Sequence, residues 1–294
     1  MVGGPTEGVY QSRSDRANRG PRKQVFVCGV TKRSGPVRQD IIFTRENMKA
    51  TAGEFRFRGL IFGAIYLIGF SAPWDYALRW NSGADSIRTW QWVAAWGARS
   101  GWIGFSAATL SVLVVGIVCM LVAALLRTWA SAYMGRSIVQ ARAMHGERVV
   151  AAGPYRFTRN PLYLGIFVHT LALALLMPPT GAAFCIVAIG LFELRLIAGE
   201  ESFLSATLED AYRAYCAKVP RIGPSLRPRL PASPAEPDWL SALAGEIYFW
   251  GAFVSFATLG WRYNASLIVQ GVLVSFGVAM IVRALLPRAT PLKD

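Results

Sequence analysis

From Pro161 to Phe192 the chain runs for 32 residues without one Asp, Glu, Lys or Arg. The hydrocarbon core of a bilayer takes about 20 helical residues, so the run is too long for a single crossing. Pro178-Pro179-Thr180-Gly181 stands at its middle, where proline cannot continue a helix. The stretch therefore predicts a helical hairpin inside a membrane, with both open ends at one face. Gly153-Pro154-Tyr155-Arg156-Phe157-Thr158-Arg159-Asn160 lies just before it, and Gly199-Glu200-Glu201 follows it. The hairpin thus gathers an Arg/Asn/Tyr group and a Glu pair at the same membrane surface, on the ends of rigid helices.

The rest of the chain agrees with a membrane setting. Of 294 residues, 53% are hydrophobic and only 16% charged, and the mean hydropathy is +0.35; a soluble domain carries about 25% charged residues. Six apolar segments stand out, at about 57–73, 102–126, 161–177, 181–198, 246–261 and 264–283. The fold class is all-α: a polytopic integral membrane helix bundle of about six transmembrane helices. The net charge of +14 is concentrated in the N-terminal stretch and in loops flanking apolar runs. That is the positive-inside pattern, so nucleic-acid binding is not needed to explain it. Residues 127–160 hold six arginines (127, 136, 142, 148, 156, 159) against Glu147 alone, whereas the turn at Pro178 to Gly181 has no charge. With an even number of spans, this places both termini, and the face that carries the motifs, in the cytoplasm. Cys28, Cys119, Cys185 and Cys216 show no CxxC spacing, so neither a disulfide framework nor a metal site is expected.

Taken in order, residues 1–54 are rich in Gly, Ser, Arg and Lys, without helical periodicity, and read as a disordered basic extension. Met48-Lys49-Ala50-Thr51 resembles an ordinary membrane-protein start, and translation is expected to begin there. Residues 55–222 form the main membrane domain, with its motifs in 149–221. Trp90, Trp92, Trp96 and Trp102 suit an interfacial aromatic belt rather than a crossing. Leu204, Leu208, Ala211 and Tyr215 recur at helical spacing opposite Ser205, Glu209, Asp210 and Arg213, which predicts an amphipathic surface helix. Residues 223–245 are a proline-rich linker, prolines 220, 224, 228, 231, 234 and 237 falling in or beside it, and 246–294 form a C-terminal helical hairpin.

Three acidic residues need a reason for being where they are. A carboxylate at bilayer depth costs about 2.5 kcal/mol or more unless it is paired or faces a wet interior. Glu193 and Glu200 are seven apart and share a helix face; pairing of either with Arg195 is the plain structural account, and a helix-exit role for Glu200 and Glu201 is another. Asn160 is an N-cap candidate before Pro161, and Arg156 and Arg159 fit as membrane-surface anchors. Tyr155 and Tyr163 converge on the same turn without a comparable explanation. A helix N-terminus flanked by arginine also suits an anionic group. His169, two turns into the helix, reads as a packed histidine before it reads as a base. No HExxH, Walker loop, GxGxxG or Ser/His/Asp order is present.

The words Gly153 to Gly165, the Glu200-Glu201 pair, Tyr212-x-x-Tyr215 and Val219-Pro220-Arg221, in this order, resemble the isoprenylcysteine carboxyl methyltransferase and phospholipid methyltransferase group of integral membrane enzymes. The resemblance spans roughly residues 102–222. It implies S-adenosyl-L-methionine as cofactor, with contacts from Val149, Val150, Tyr155, Asn160, Pro161, Leu162, Tyr163, Glu200 and Glu201. It further implies Glu200, Arg195 and Arg159 at the reacting groups, no metal, and a hydrophobic or lipid acceptor entering from the cytoplasmic leaflet. Prenylcysteine-methylating members place an arginine four residues before the first glutamate; position 196 is leucine here, and the nearest arginine is Arg195. Two other readings compete: an NADPH-dependent membrane reductase of a sterol or enone, and a non-enzymatic membrane protein or transporter in which Glu193, Arg195 and Glu200 form a structural or ion-path network.

Overall fold

The computed structural model describes residues 49–72, 74, 87–101, 103–135, 149–232 and 234–285. The expectations for residues 1–48, for Met48 as a start, for Trp102 and for Arg136, Arg142 and Arg148 lie outside the described residues. Among the described residues every regular element is helical. α1 (Ala52–Arg56) leads into α2 (Arg58–Phe70), followed by α3 (Thr89–Arg99), α4 (Phe105–Met134), α5 (Pro161–Ala174), α6 (Pro179–Thr207), α7 (Glu209–Lys218), α8 (Trp239–Gly245), α9 (Ile247–Leu259) and α10 (Ala265–Leu285).

The charge-free run folds as the hairpin α5/α6, with a shifted turn. Leu175 to Pro178 make the connection, and α6 already begins at Pro179. Proline is tolerated in a first helical turn because the amide it lacks would have no partner there. The carbonyls left open at the turn are closed by α3: Thr89 N donates to Met177 O at 2.8 Å and Trp90 N to Leu175 O at 3.0 Å. Trp90 is therefore no surface anchor. It is buried in the core beside Leu173, Met177 and Leu113, while Trp92 and Trp96 stay exposed as a belt would have them.

α4 is the long strut of the bundle, packing along α5 and against α3, α8 and α9. It runs past residue 126, where the sequence suggested an exit, because nothing in 127–134 breaks a helix; Gly135, at φ 89, ends it. Arg127 consequently lies inside the bundle and not in a loop. Leu110, Val114, Val118, Val122 and Leu125 form an exposed stripe down one side of α4. An apolar exterior of this kind is stable in lipid and a liability in water.

Among the described residues three helices, α4, α6 and α10, are long and apolar enough to cross a membrane. The pair α8/α9, bent by 65°, makes a fourth if counted as one span. α2 and α5 have 13 and 14 residues, which at 1.5 Å per residue reach about 20 Å, short of a hydrocarbon core of about 30 Å. α2 docks on α6 by close backbone approach: Gly181 lies against the Gly69 carbonyl, and Gly69 against the Cys185 sulfur. Leu67 and Ile68, next to Gly69, face outward.

α1 is held by a capping box, in which Glu54 N donates to Thr51 Oγ1 at 3.2 Å and Thr51 N to Glu54 Oε2 at 2.7 Å. Ahead of it, Ala50 N donates to Arg195 O at 3.0 Å, and Arg195 Nη2 reaches Glu54 Oε1 at 2.9 Å. The expected pairing of Arg195 with Glu193 or Glu200 is thus replaced by Glu54, a residue far away in sequence. The Thr51 amide and Arg195 hold the Glu54 carboxyl below its ordinary value of 4.5. Its contribution to stability is present above about pH 4.5 and is lost as the pH falls below that, so Glu54→Gln should remove part of the acid-side loss seen in melts of the wild type. Gly181→Ala should cost about 1–3 kcal/mol in thermal unfolding in detergent by overpacking the α2/α6 contact. Gly63→Ala, with nothing within 4 Å of the added carbon, should be neutral or gain up to about 1 kcal/mol.

Candidate functional site

The open ends of the hairpin meet as the sequence predicts. Tyr163 sits in the first turn of α5 and Glu200 near the C-terminal end of α6, and Tyr163 Oη donates to Glu200 Oε2 at 3.1 Å. Asn160 occupies the N-cap position of α5 but does not cap it. Its amide nitrogen donates instead to Glu201 Oε1 at 3.2 Å and to the Arg221 carbonyl at 2.9 Å.

Two adjacent glutamates therefore have different surroundings. Glu201 is the more heavily engaged: besides the Asn160 hydrogen bond it has two ion-pair contacts, Arg221 Nε at 3.0 Å from Oε2 and Arg159 Nε at 3.5 Å from Oε1. Glu200, among the described residues, accepts only the Tyr163 hydroxyl. A carboxylate with several lone pairs and one donor retains acceptor capacity, and its neighbour is the one whose charge is paired, tying the start of α5 and the segment after α7 to the end of α6. The Arg159 Nε is itself buried without a hydrogen-bond acceptor.

The segment before α5 is fixed from two directions. Gly153, at φ +54, turns the chain with its α-carbon against the Tyr133 ring, where a side chain would collide. A short 3₁₀ turn, Gly153–Arg156, buries Pro154 and Tyr155. Tyr155 Oη donates to Met134 Sδ at 3.5 Å, and Tyr215 Oη donates to the Tyr155 carbonyl at 2.8 Å. Burial holds both phenols well above their usual range, so each is a neutral donor.

The linker then straps the motif down. Arg159 N donates to Pro220 O, Ser225 N to Phe157 O and Arg229 N to Arg156 O, all at 2.9–3.0 Å, and Arg156 Nε donates to Leu230 O at 2.9 Å. Arg156 is thus tied into the linker, not left as a free surface anchor. Of the expected series Leu204, Leu208, Ala211 and Tyr215, all but Ala211 join one apolar cluster, in which Tyr212 and the cap residue Val219 are buried with Tyr215. The helix breaks at Leu208, and Glu209 takes φ 41, which resets the helical phase and leaves Ala211 exposed. Val149 packs against that cluster, Val150 is half-buried, Pro161 is buried at the α5 start, and the Leu162 carbonyl faces Arg127.

Of the other sequence candidates, Arg195 points to Glu54 and is not brought to the Tyr163–Glu200 pair. Glu193 lies two turns deeper than Glu200, 5% exposed, with Oε1 lacking a partner. His169 is a packed histidine, its Nε2 2.9 Å from the Tyr248 hydroxyl and its ring edge-on to Tyr66 and Phe249. The sequence reading missed Arg127 and Glu246, which meet in a buried ion pair at 2.6 Å. The available signal was the absence of any helix breaker between Arg127 and Gly135.

An all-helical chain with membrane-length apolar helices and a polar knot at the ends of one hairpin is built as an integral membrane protein. Residues 111–211 match the family model of the phospholipid methyltransferases. This bears out, over that stretch, the resemblance to the isoprenylcysteine carboxyl and phospholipid methyltransferase group of membrane enzymes, and methyltransferase activity is what the family implies. No curated protein and no solved structure matches the chain. Among the described residues no His/Cys/Asp/Glu group could hold a metal ion.

The unequal glutamates lead to a prediction. Glu201→Gln should loosen the junction of Asn160, Arg159 and Arg221, seen as faster limited proteolysis within 220–237. Glu200→Gln should leave the cleavage rate unchanged.

Proposed function

We propose that the protein is a membrane methyltransferase that uses S-adenosyl-L-methionine and transfers its methyl group to a lipid-like or small hydrophobic acceptor. The observation that carries this reading is the Tyr163–Glu200 pair at 3.1 Å, set beside a Glu201 that is engaged by Asn160 and by the guanidinium groups of Arg159 and Arg221. The residues present suit the donor molecule. Glu200 offers acceptor capacity for ammonium or ribose hydroxyl groups, and the first-turn amides of α5, together with Arg159 Nε, which faces Glu201 at 3.5 Å without a hydrogen-bond acceptor, offer donors for a carboxylate. Tyr155, Asn160 and Tyr163 shape the wall between them, with Pro161 and Leu162 supplying the helix start and Val149 and Val150 the approach.

When bound, the sulfonium supplies an electrophilic methyl group whose in-line transfer neutralises charge. The chain's part is to bind, to orient and to exclude water, and effects of this kind provide most of what such a displacement needs. Glu200 fixes one end of the donor through a charge-assisted contact, and Tyr163 fixes Glu200. A carboxylate or thiolate acceptor then requires no base, whereas an amine would have to give up its proton. Arg159 and Arg221 both pair with Glu201, and of the two Arg221, 42% exposed, remains open to an anionic head. Arg195, committed to Glu54, has a role in fastening α1 rather than at the reacting groups.

In this reading α2 and α5 complete the membrane domain as short spans, giving about six in all with the motif face in the cytoplasm. The donor arrives from water at the helix ends, and the acceptor slides in from the adjoining leaflet. S-Adenosylhomocysteine should raise the thermal midpoint of the detergent-solubilised protein, a ligand at a hundredfold excess over its Kd adding about 2.7 kcal/mol. Glu200→Gln and Tyr163→Phe should weaken that shift by an amount equivalent to about 1.5–3 kcal/mol of binding. Glu209→Gln should leave it intact, because Glu209 is exposed on α7. NADPH should produce no shift; stabilisation by NADPH alone would transfer the assignment to the reductase reading. Membranes incubated with labelled donor should yield label that partitions into organic solvent.

A further inference from the structure

The C-terminal helices lie outside the family match at 111–211, yet they reach the first turn of α5. Glu246 stands at the bend between α8 and α9 and is 3% exposed. Its Oε2 accepts from Arg127 Nε at 2.6 Å, and its Oε1 accepts from Arg127 Nη2 at 2.9 Å and from Ser131 Oγ at 2.6 Å. The remaining arm of the same guanidinium, Arg127 Nη1, donates to the Leu162 carbonyl at 3.3 Å. Gly165 leaves the passage for this side chain: a β-carbon there would stand 2.5 Å from Arg127 Cγ. The Phe249 ring covers the guanidinium, its centroid 4.4 Å away.

Stability alone does not call for this arrangement, since buried ion pairs are often replaceable by apolar residues of similar volume without loss. What an apolar pair cannot do is hold the Leu162 carbonyl. That carbonyl belongs to the peptide unit joining Leu162 to Tyr163, the residue whose hydroxyl meets Glu200. The planar guanidinium fork, locked bidentately by Glu246, fixes that peptide in space.

We propose that Arg127 and Glu246 are positioning residues of the methyl-donor site, acting through the Leu162 carbonyl on Tyr163, and that the C-terminal hairpin is thereby a working part of the site. The proposal rests on the donor-binding reading of Tyr163 and Glu200. Affinity for S-adenosylhomocysteine, measured by calorimetry on the full-length protein in detergent, tests it with three variants. Arg127→Met/Glu246→Leu replaces the pair by an apolar one, Glu246→Gln keeps shape and removes the charge, and Trp250→Phe is the control. Trp250 Nε1 donates to Thr128 Oγ1 at 3.0 Å, so its loss disturbs the same helix contact without touching Arg127.

The expected result is a folded double variant, by size exclusion and melting, that binds about tenfold more weakly, the change expected for one lost charge-assisted hydrogen bond. Trp250→Phe should bind as the wild type does. Glu246→Gln should weaken binding in the same direction, and it carries the test if the double variant does not fold. Wild-type affinity in either Arg127/Glu246 variant, or an equal loss in Trp250→Phe, would overturn the proposal and leave the pair a structural brace. Failure of the wild type to bind S-adenosylhomocysteine overturns the donor-site reading first, and this proposal with it.

Discussion

A half-buried carboxylate needs polar partners, and Glu201 draws them from two other segments at once. Asn160, with Arg159 beside it at ion-pair distance, comes from the start of α5, and Arg221 from the segment after α7. Each donor by itself is a modest contribution. Together they set where α5 begins relative to where α6 leaves the bundle, and that offset is what allows Tyr163 to reach Glu200. The adjacent glutamate, by contrast, accepts only the Tyr163 hydroxyl among the described residues. Two glutamates in succession thus have different surroundings, one tied into the architecture and the other with acceptor capacity left.

Much of this was legible in the sequence where physics leaves few alternatives. A long uncharged run interrupted by two prolines has to be a hairpin in lipid, and a hairpin has to bring its ends together. That Asn160, Tyr163 and the Glu pair end at one face followed from the hairpin, whereas their expected part in a cofactor site came from the family resemblance. Choosing between partners was harder, because pairing of charges is decided by tertiary approach. Arg195 has Glu193 and Glu200 close by in sequence, yet it pairs with Glu54 because α1 docks across α6 at that level. Arg127 looked like a loop arginine since charge usually marks a membrane exit; the helix carries it inside because Glu246 waits there. The phase of α7 was hidden by the break at Leu208, where one left-handed residue shifts the pattern. Trp90 differs from Trp92 and Trp96 only in facing inward, which no composition argument reveals.

The bundle also shows how two helices too short to span are accommodated. α2 is locked onto α6 by glycine-to-backbone contact at Gly69 and Gly181, and the open turn after α5 is closed by amides of α3. Backbone groups that have no water to turn to are satisfied by neighbouring elements, as the hydrocarbon region demands. α10 and the outer stripe of α4 present apolar side chains outward, so the interior has no monopoly on hydrophobic residues. What separates inside from outside here is the small residues, Gly116 under Phe256 and Gly260 under Leu113, at which helices come close.

The strap formed by the linker is written mostly in main chain. Pro220, Phe157 and Arg156 offer carbonyls, and Arg159, Ser225 and Arg229 offer amides, so beyond Arg221 the register between the strap and the motif turn depends little on which side chains the strap carries. Six prolines keep it from folding into anything of its own. A segment of this kind can change most of its surface, in charge, bulk or affinity for headgroups, while the turn it holds stays in place. The protein therefore has, beside a junction with narrow geometric demands, an exposed stretch of surface that is free to be rewritten.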